Sequence, residues 1–163
     1  MKMNKINLNE LSWCDANSNV IMMETVLSRV NNRRDHVEIH VGCDSHFVKN
    51  TCKFAIVIAM YERGKGGTYF FARAKRDRSL FTNMKIRLLK EVELAVTLAE
   101  LLSSLDTTNR NDISVHLDIN PNKKFKSNAV FTSATSWVKS LGYQCVVKPD
   151  SWASSWLADA YAK

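Results

Sequence analysis

The sequence predicts an α/β fold built on a mixed five-stranded sheet, three antiparallel strands followed by two parallel ones, with helices on its flanks. Three observations lead to this prediction. Strand patterns with a tight turn fill residues 36–76, helix and strand patterns alternate over residues 83–163, and no linker, repeat or low-complexity segment divides the chain. Residues 1–163 are therefore expected to form one domain, with a helical extension at about residues 1–34.

The first half of the chain is predicted to supply one helix and the three antiparallel strands. An irregular lead-in over residues 1–17 precedes a helix at about residues 19–32, where apolar residues recur at helical spacing. The strands follow as HVEIHVGCD (36–44), CKFAIVIAMYE (52–62) and TYFFARAKR (68–76), the last two joined through the turn GKGG. Alternation along the first strand places Asp44 on the face opposite Cys43.

The second half is predicted to alternate helices and strands. A long helix covers residues 83–105, which contain neither Gly nor Pro. The remaining elements are a strand at 112–120, a helix at 127–142, a strand at 143–148 and a helix at 151–163. Right-handed crossovers then make the first and fourth strands parallel neighbours, and ligands of such sheets collect at the carboxyl ends of these strands.

The composition favours a polyanionic partner. Lys and Arg number 23 against 16 Asp and Glu, so the net charge is +7 and the pI is near 9.3. No apolar run approaches the roughly 18 residues of a membrane span, and no signal peptide is recognisable, so a cytoplasmic protein without a membrane partner is expected. The four cysteines lack zinc-site spacing and are expected to be reduced, buried thiols.

Two aspartates end apolar strands of the predicted sheet. Asp44 follows VEIHVGC, Asp118 follows ISVHL, and a polar segment comes after each of them. If these strands are neighbours, the two carboxylates face each other at about 5 Å, the spacing of paired strands. Two anions at that distance repel unless a proton or a cation lies between them.

Two helices add further acids. On the long helix, Glu91 shares an apolar stripe with Leu88 and Ala95, whereas Glu93 lies on a solvated stripe, and only this spacing separates the two. On the last helix, Asp159 lies on an aromatic-lined face that is expected to pack on the sheet. The tryptophans at helical positions are expected to fill core space: Trp137, Trp152 and Trp156.

Each acid taken alone has an ordinary explanation. Asp44 or Asp118 can cap a turn, Glu91 can pair with a neighbouring Lys or Arg, and Asp159 can lie on a hydrated helix face. Several acids that converge without matched basic partners are instead the arrangement that a divalent ion requires, because Mg²⁺ and Mn²⁺ prefer hard oxygen ligands.

The order of these acids on this scaffold resembles the ribonuclease H-like superfamily of two-metal nucleases. More narrowly, the segments VGCDSH, EVELAVTLAELL, VHLDINPN and GYQCVVKPDSWASSWLADAYAK resemble the YkuK-like family of predicted RNase H-related nucleases. The resemblance runs from about residue 37 to the C-terminus, and the tail is its most specific part. It implies a ribonuclease H-like fold with catalytic, metal-binding residues at Asp44, Glu91, Asp118 and Asp159.

The resemblance further implies two Mg²⁺ or Mn²⁺ ions, bridged by Asp44, and a cleavage product that carries a 5′ phosphate. Substrate contacts are expected from basic groups around this cleft: Lys123, Lys124, Lys126, Arg73, Lys75 and Lys148. The three lysines directly follow Asp118, and Arg73 alternates with aromatic residues on its strand. A solvated loop and a helix-covered sheet face are the alternatives. His46 can relay protons, touch the metal or lie in an exposed loop.

Two functions stay open from the sequence. The first is a metal-dependent nuclease that acts on RNA, DNA or a hybrid by a two-metal-ion mechanism. The second is a catalytically inactive RNase H-fold module that binds nucleic acid or a protein partner. A small-molecule phosphotransferase is disfavoured, because the chain has only five glycines and no glycine loop that could cradle a phosphate.

Overall fold

The sheet contains seven strands rather than the predicted five. The computed structural model describes residues 5–163, so residues 1–4 of the predicted lead-in lie outside the described residues. The strands are β1 (Trp13–Asp15), β2 (Val20–Ile21), β3 (Glu38–Val48), β4 (Thr51–Glu62), β5 (Gly66–Asp77), β6 (Ile113–His116) and β7 (Gln144–Val146). Their spatial order is β2-β1-β5-β4-β3-β6-β7.

Five of these strands have the predicted arrangement. Strands β5, β4 and β3 are antiparallel neighbours, and β6 and β7 continue the sheet in parallel with β3. The strand predicted at 112–120 is shorter than expected, because only Ile113–His116 forms the ladder with both neighbours. The first strand is longer than expected and continues past Asp44 to Val48.

One additional strand, β1, comes from the segment predicted as an irregular lead-in. The other, β2, occupies the start of the helix predicted at about residues 19–32, which begins only at Met23. Strand β1 pairs antiparallel with β5, and β2 pairs with β1 across a turn in which the Asp15 carboxylate accepts the backbone N–H groups of Asn17 and Asn19. Trp13 anchors β1, because its indole is fully buried and donates to the Leu8 carbonyl oxygen at 2.9 Å. Strands of two and three residues are too short to show an alternating pattern, which is why the sequence prediction missed them.

Helices cover both faces of the sheet. Helices α1 (Met23–Asn31), α2 (Met84–Ser103) and α3 (Phe131–Ser140) pack on one face, over a large core that includes Ile39, Val41 and Leu98. A C-terminal helix covers the other face, over a small core of alanines, Val57 and Phe71. This helix contains a π-helical segment, Ala153–Ala158, which continues into α4 (Asp159–Ala162).

The C-terminal helix approaches β3 so closely that the strand needs a glycine there. A Cβ atom added to Gly42 would lie 2.7 Å from the carbonyl carbon of Ala153 and 2.7 Å from the backbone nitrogen of Ser154. Both are backbone atoms, so neither can rotate away as a side chain could. Gly42 therefore fixes the distance between β3 and the helix that carries Asp159.

A chain of buried hydrogen bonds holds the start of this helix. The backbone N–H of Ala153 donates to His116 Nδ1 at 3.2 Å, so the proton of the neutral His116 ring is on Nε2. His116 Nε2 then donates to His40 Nδ1 at 3.0 Å, and His40 Nε2 donates to the Glu38 carboxylate at 3.1 Å. Burial lowers the pKa of both histidines, that of His116 to about 3, so both rings are neutral at pH 7.

This chain predicts a loss of stability in acid. Below a pH of about 6.5, the ordinary histidine pKa, these two histidines are protonated in the unfolded chain but stay neutral in the folded chain. The free energy of unfolding therefore falls as the pH decreases, by at most about 1.4 kcal/mol per pH unit for each histidine. His116→Asn keeps an acceptor for the Ala153 N–H but cannot be protonated. In denaturant titrations at pH 7.5 and 5.0, we expect this variant to lose about 1–2 kcal/mol less than the wild type between the two pH values. If the wild type and His116→Asn lose the same unfolding free energy between the two pH values, the buried neutral state inferred for His116 is wrong.

All four cysteines are free thiols, as expected for reduced cysteines. Cys43 and Cys52 are buried, whereas Cys14 and Cys145 are only partly buried. Among the described residues, none of the helices combines the length and the hydropathy needed to cross a membrane.

Candidate metal centre

The pairing of β3 with β6 brings Asp44 and Asp118 to the same place. The parallel register aligns Gly42 with His116, and continuing it by two residues aligns Asp44 with Asp118. The chain leaves the ladder after His116, but the backbone N–H of Leu117 still donates to the Val146 carbonyl oxygen at 2.8 Å. Asp118 is therefore held beside Asp44 just past the end of the parallel β3–β6 ladder, the end at which ligands of α/β sheets bind. The expectation that Asp44 ends its strand is wrong, because β3 continues to Val48 in its pairing with β4.

Asp44 also meets a residue of the C-terminal helix through His46. His46 follows Asp44 by two residues on β3, so both side chains lie on the sheet face that the C-terminal helix covers. His46 Nε2 donates to Asp159 Oδ1 at 2.8 Å and lies 3.3 Å from Asp44 Oδ2. One potential ligand atom from each of these three residues falls within 4.8 Å of the other two.

The negative charge of Asp44 is not balanced by its surroundings. It is only 6% exposed. Burial and the neighbouring charge of Asp118 raise the pKa of Asp44 from 3.8 to about 6, against smaller opposing effects of a backbone hydrogen bond and His46. A buried carboxylate of this kind gains from a further cation, so the carboxylate oxygens and the imidazole nitrogen fit a divalent ion such as Mg²⁺ or Mn²⁺.

Asp118 and Asp159 differ from the sequence expectation, because each has a basic partner. Lys148 Nζ and Ser155 Oγ both lie 2.8 Å from Asp118 Oδ1. Lys163 Nζ contacts Asp159 Oδ2 at 2.6 Å. The expectation of acids without matched bases is therefore wrong for these two residues, since the C-terminal segment that carries Asp159 also brings the lysines.

These contacts also act on Asp159. Burial would raise the pKa of Asp159, but hydrogen bonds from Lys163 and His46 outweigh it and lower the pKa. Asp159 is thus ionised at neutral pH, and it faces the buried Asp44 across the His46 imidazole.

The long helix presents Glu91 inward and Glu93 outward. Glu91 is 5% exposed and accepts a hydrogen bond from Ser45 Oγ, whereas Glu93 is exposed and pairs with Lys90 at 2.9 Å. Burial and the charge of Asp44 raise the pKa of Glu91 well above its ordinary value. The three-residue cluster around His46 contains neither Glu91 nor Asp118, so the role of Glu91 as a metal ligand stays a prediction.

The basic residues singled out in the sequence occupy three different settings. Lys123, Lys124 and Lys126 are exposed on the loop that follows Asp118. Lys148 lies between this loop and the C-terminal helix and pairs with Asp118. Arg73 and Lys75 are exposed on β5.

The helix-covered alternative is correct for part of the β5 face. The Phe71 ring is buried and stacks on Tyr161 with 3.8 Å between ring centroids, so it is not free to stack on a nucleic acid base. Arg73 donates to the Tyr161 carbonyl oxygen at 3.0 Å. Contacts of Arg73 and Lys75 with nucleic acid stay predictions.

Sequence reasoning underrated two residues of this region. His46 was only one of several options, although its i+2 spacing from Asp44 on a strand places the two side chains on one face. Trp156 was expected in the core, yet it is 78% exposed. The π-helical segment explains the difference, because its i+5 hydrogen bonds rotate side chains away from the positions that α-helical spacing predicts.

A comparison with protein-family models agrees with the predicted fold. Neither the curated proteins nor the solved structures yielded a match to this chain. A family model described as Ribonuclease H-like matches residues 21–163, a span that contains β3 to β7, all four acids and the C-terminal helix. The chain belongs to this ribonuclease H-like family.

Proposed function

We propose that this protein is a metal-dependent nuclease that hydrolyses phosphodiester bonds of nucleic acid at the centre formed by Asp44, Asp118 and Asp159, with Glu91 as the fourth acid. One observation carries the proposal. In a ribonuclease H-like chain, Asp44, His46 and Asp159 converge beside Asp118, just past the end of the parallel β3–β6 ladder. Membership of the family supports a nuclease or a nucleic-acid-binding role.

The carboxylates would hold the divalent ions that such a reaction needs. Asp44 lies between the other two aspartates, so it is the residue placed to serve both ions, with Asp118 on one side and Asp159 on the other. Mg²⁺ or Mn²⁺ bound there would activate a water molecule and stabilise the departing 3′ oxygen. The net reaction consumes one water and leaves a 5′ phosphate and a 3′ hydroxyl.

Two lysines at the centre, Lys148 and Lys163, are placed to contact the substrate phosphate. Lys148 and Lys163 neutralise Asp118 and Asp159 in the absence of a cation. If a divalent ion took the place of these lysines at the carboxylates, Lys148 and Lys163 would be free to contact the substrate phosphate and to offset its developing negative charge. His46 could then pass on the proton of Nε2, the atom that now donates to Asp159.

The substrate is expected to reach the centre along positive surface. Lys123, Lys124 and Lys126 are exposed on the loop that follows Asp118, and Arg73 and Lys75 are exposed on β5. Lysines bind the phosphate backbone without reading sequence, so binding should weaken as the salt concentration rises. RNA, DNA and hybrid substrates all satisfy this electrostatic requirement.

The same lysines favour a second candidate function. Two of the three aspartates, Asp118 and Asp159, already have a lysine partner, so only Asp44 is without a matched base. A ribonuclease H-like module that binds nucleic acid or a protein partner without catalysis would have no need of a divalent ion.

Mn²⁺ titration separates the two functions. We expect calorimetry to detect Mn²⁺ binding to the wild type and to Asp106→Asn, a matched control whose exposed carboxylate precedes β6 at the opposite end of the strand. Asp118→Asn should weaken this binding and reduce cleavage of labelled single-stranded, double-stranded and hybrid substrates at least about tenfold, since the substitution removes a ligand.

The absence of Mn²⁺ binding by the wild type, together with the absence of cleavage, would assign the protein to the non-catalytic class. Cleavage that persists at the wild-type rate in Asp118→Asn would show that the activity does not come from this centre.

A further inference from the structure

Trp156 presents the largest exposed aromatic surface beside the acidic centre. Its side chain is 78% exposed, the highest value among the exposed large hydrophobic residues. An indole exposed to water lacks the stabilisation that burial would give, so covering it with a ligand or a partner would be favourable. Trp156 is therefore a candidate for a contact that the proposed chemistry has not used.

The position of Trp156 ties it to the centre. The preceding residue, Ser155, donates a hydrogen bond to Asp118 at 2.8 Å, and Asp159 follows three residues later on the same helix. The residues beside Trp156 on this helix thus contribute to the centre, and Lys148 and Ser155, which both contact Asp118, also line the cleft beside the indole. A substrate bound on this surface can therefore also reach the acidic centre.

A cleft beside the indole has the chemistry of a nucleotide site. Its volume is about 330 Å³, and it is lined by Asn120, Pro121, Lys148, Pro149, Ser155 and Trp156. The indole and the two proline rings offer apolar surface to a planar base, and Lys148 offers a cation to the attached phosphate. Most of the remaining wall is neutral and polar.

The surrounding charge suits a nucleic acid. The loop that leaves this cleft carries the exposed Lys123, Lys124 and Lys126, together with Phe125, which is 54% exposed. Aromatic rings interleaved with cations are typical of surfaces that bind single strands. The net charge of +7 acts in the same direction.

We propose that Trp156 and this cleft bind an unpaired nucleotide, whose base stacks on the indole while its phosphate extends towards Lys148 and Asp118. The proposal rests on the proposed nucleic acid function and narrows its substrate class to single strands or single-stranded ends. Inside a duplex both faces of a base are covered by its neighbours, so the indole can stack only on an unpaired or terminal base.

Binding measured in EDTA tests this proposal without interference from cleavage. The probes are a labelled single strand of about ten nucleotides, within the usual site size, and a blunt duplex of the same sequence, followed by fluorescence anisotropy. We expect Trp156→Ala to bind the single strand about tenfold more weakly than the wild type, whereas Trp156→Phe, which keeps a stacking ring, should lose much less.

Trp137→Ala is the matched control, because Trp137 is the partly exposed tryptophan of α3. It should bind the single strand like the wild type. Trp156→Ala should lose much less affinity for the duplex than for the single strand, because a blunt duplex offers the indole only its terminal bases. Circular dichroism of Trp156→Ala checks that the fold is intact. Equal single-strand binding by Trp156→Ala and the wild type, or an equal loss for the single strand and the duplex, would overturn the proposal.

These outcomes are separate from those of the nuclease proposal. A protein that binds single strands through Trp156 but cleaves nothing with Mn²⁺ keeps the nucleotide site and refutes catalysis. A protein that cleaves through Asp118 while Trp156→Ala binds normally keeps catalysis and refutes the nucleotide site.

Discussion

Asp44→Asn is expected to abolish Mn²⁺ binding and to lower nuclease activity at least about a hundredfold, since the substitution removes the carboxylate that both ions would share. The same variant should be more stable than the wild type when no metal is present. Burial and the neighbouring Asp118 raise the pKa of Asp44 from an ordinary 3.8 to about 6, so above pH 6 folding places an ionised carboxylate in an unfavourable environment. The amide removes this penalty, which amounts to at most about 3 kcal/mol.

Denaturant unfolding in EDTA measures this gain, and its pH dependence gives the sign. For the wild type, the destabilising contribution of Asp44 grows as the pH rises from about 4 to about 6 and is constant above that range, so the difference between variant and wild type should be small at pH 4 and largest at pH 8. If Asp44→Asn is less stable than the wild type at pH 8, the charge balance inferred for the centre is wrong.

Gly42→Ala is expected to damage the centre without changing any candidate ligand. The added methyl group would meet the backbone of Ala153 and Ser154 at 2.7 Å, so the C-terminal helix must move away from β3. Overpacking of this kind usually costs about 1–3 kcal/mol of stability, and the displaced helix carries Asp159 and Ser155 away from Asp44 and Asp118. Mn²⁺ affinity and activity should therefore fall at least about tenfold.

Gly64→Ala separates this effect from a general loss of stability. Gly64 has a φ of +77°, and nothing lies within 4 Å of an added Cβ, so the substitution strains the β4–β5 turn but leaves the centre alone. It should cost about 1 kcal/mol of unfolding free energy and keep wild-type Mn²⁺ binding in calorimetry. If Gly42→Ala binds Mn²⁺ like Gly64→Ala, the close approach of helix and strand does not position the centre.

The central sheet could be predicted from the sequence because its strands are long and alternate. Strands β3, β4 and β5 each span eleven or twelve residues, and the apolar residues of α2 recur at helical spacing over five turns. Short strands carry no such pattern. Strands β1 and β2 have three and two residues, and they form because Trp13 is buried and because the edge of β5 offers backbone groups for pairing. Strand β5 is far from β1 in the sequence, so no local pattern reveals this pairing.

The approach of Asp44 to Asp118 can be expected from the sequence, but the lysines that pair with the aspartates cannot. Asp44 and Asp118 follow the paired residues of β3 and β6, two strands that a right-handed crossover makes neighbours, so their meeting follows from topology. The ion pairs of Lys148 and Lys163 depend on where the last segment folds back, which local spacing does not reveal. The exposure of Trp156 depends on a π-helical segment that a count by three and four cannot anticipate.

A crystal structure of the wild-type protein soaked with Mn²⁺ tests the metal centre most directly. Anomalous scattering locates manganese without any assumption about its ligands. We expect anomalous density between the Asp44 and Asp159 carboxylates, adjacent to Asp118, with Lys148 or Lys163 displaced from its present partner. Density elsewhere on the molecule, or lysines that keep both ion pairs at saturating Mn²⁺ with no manganese beside Asp44, would contradict the account.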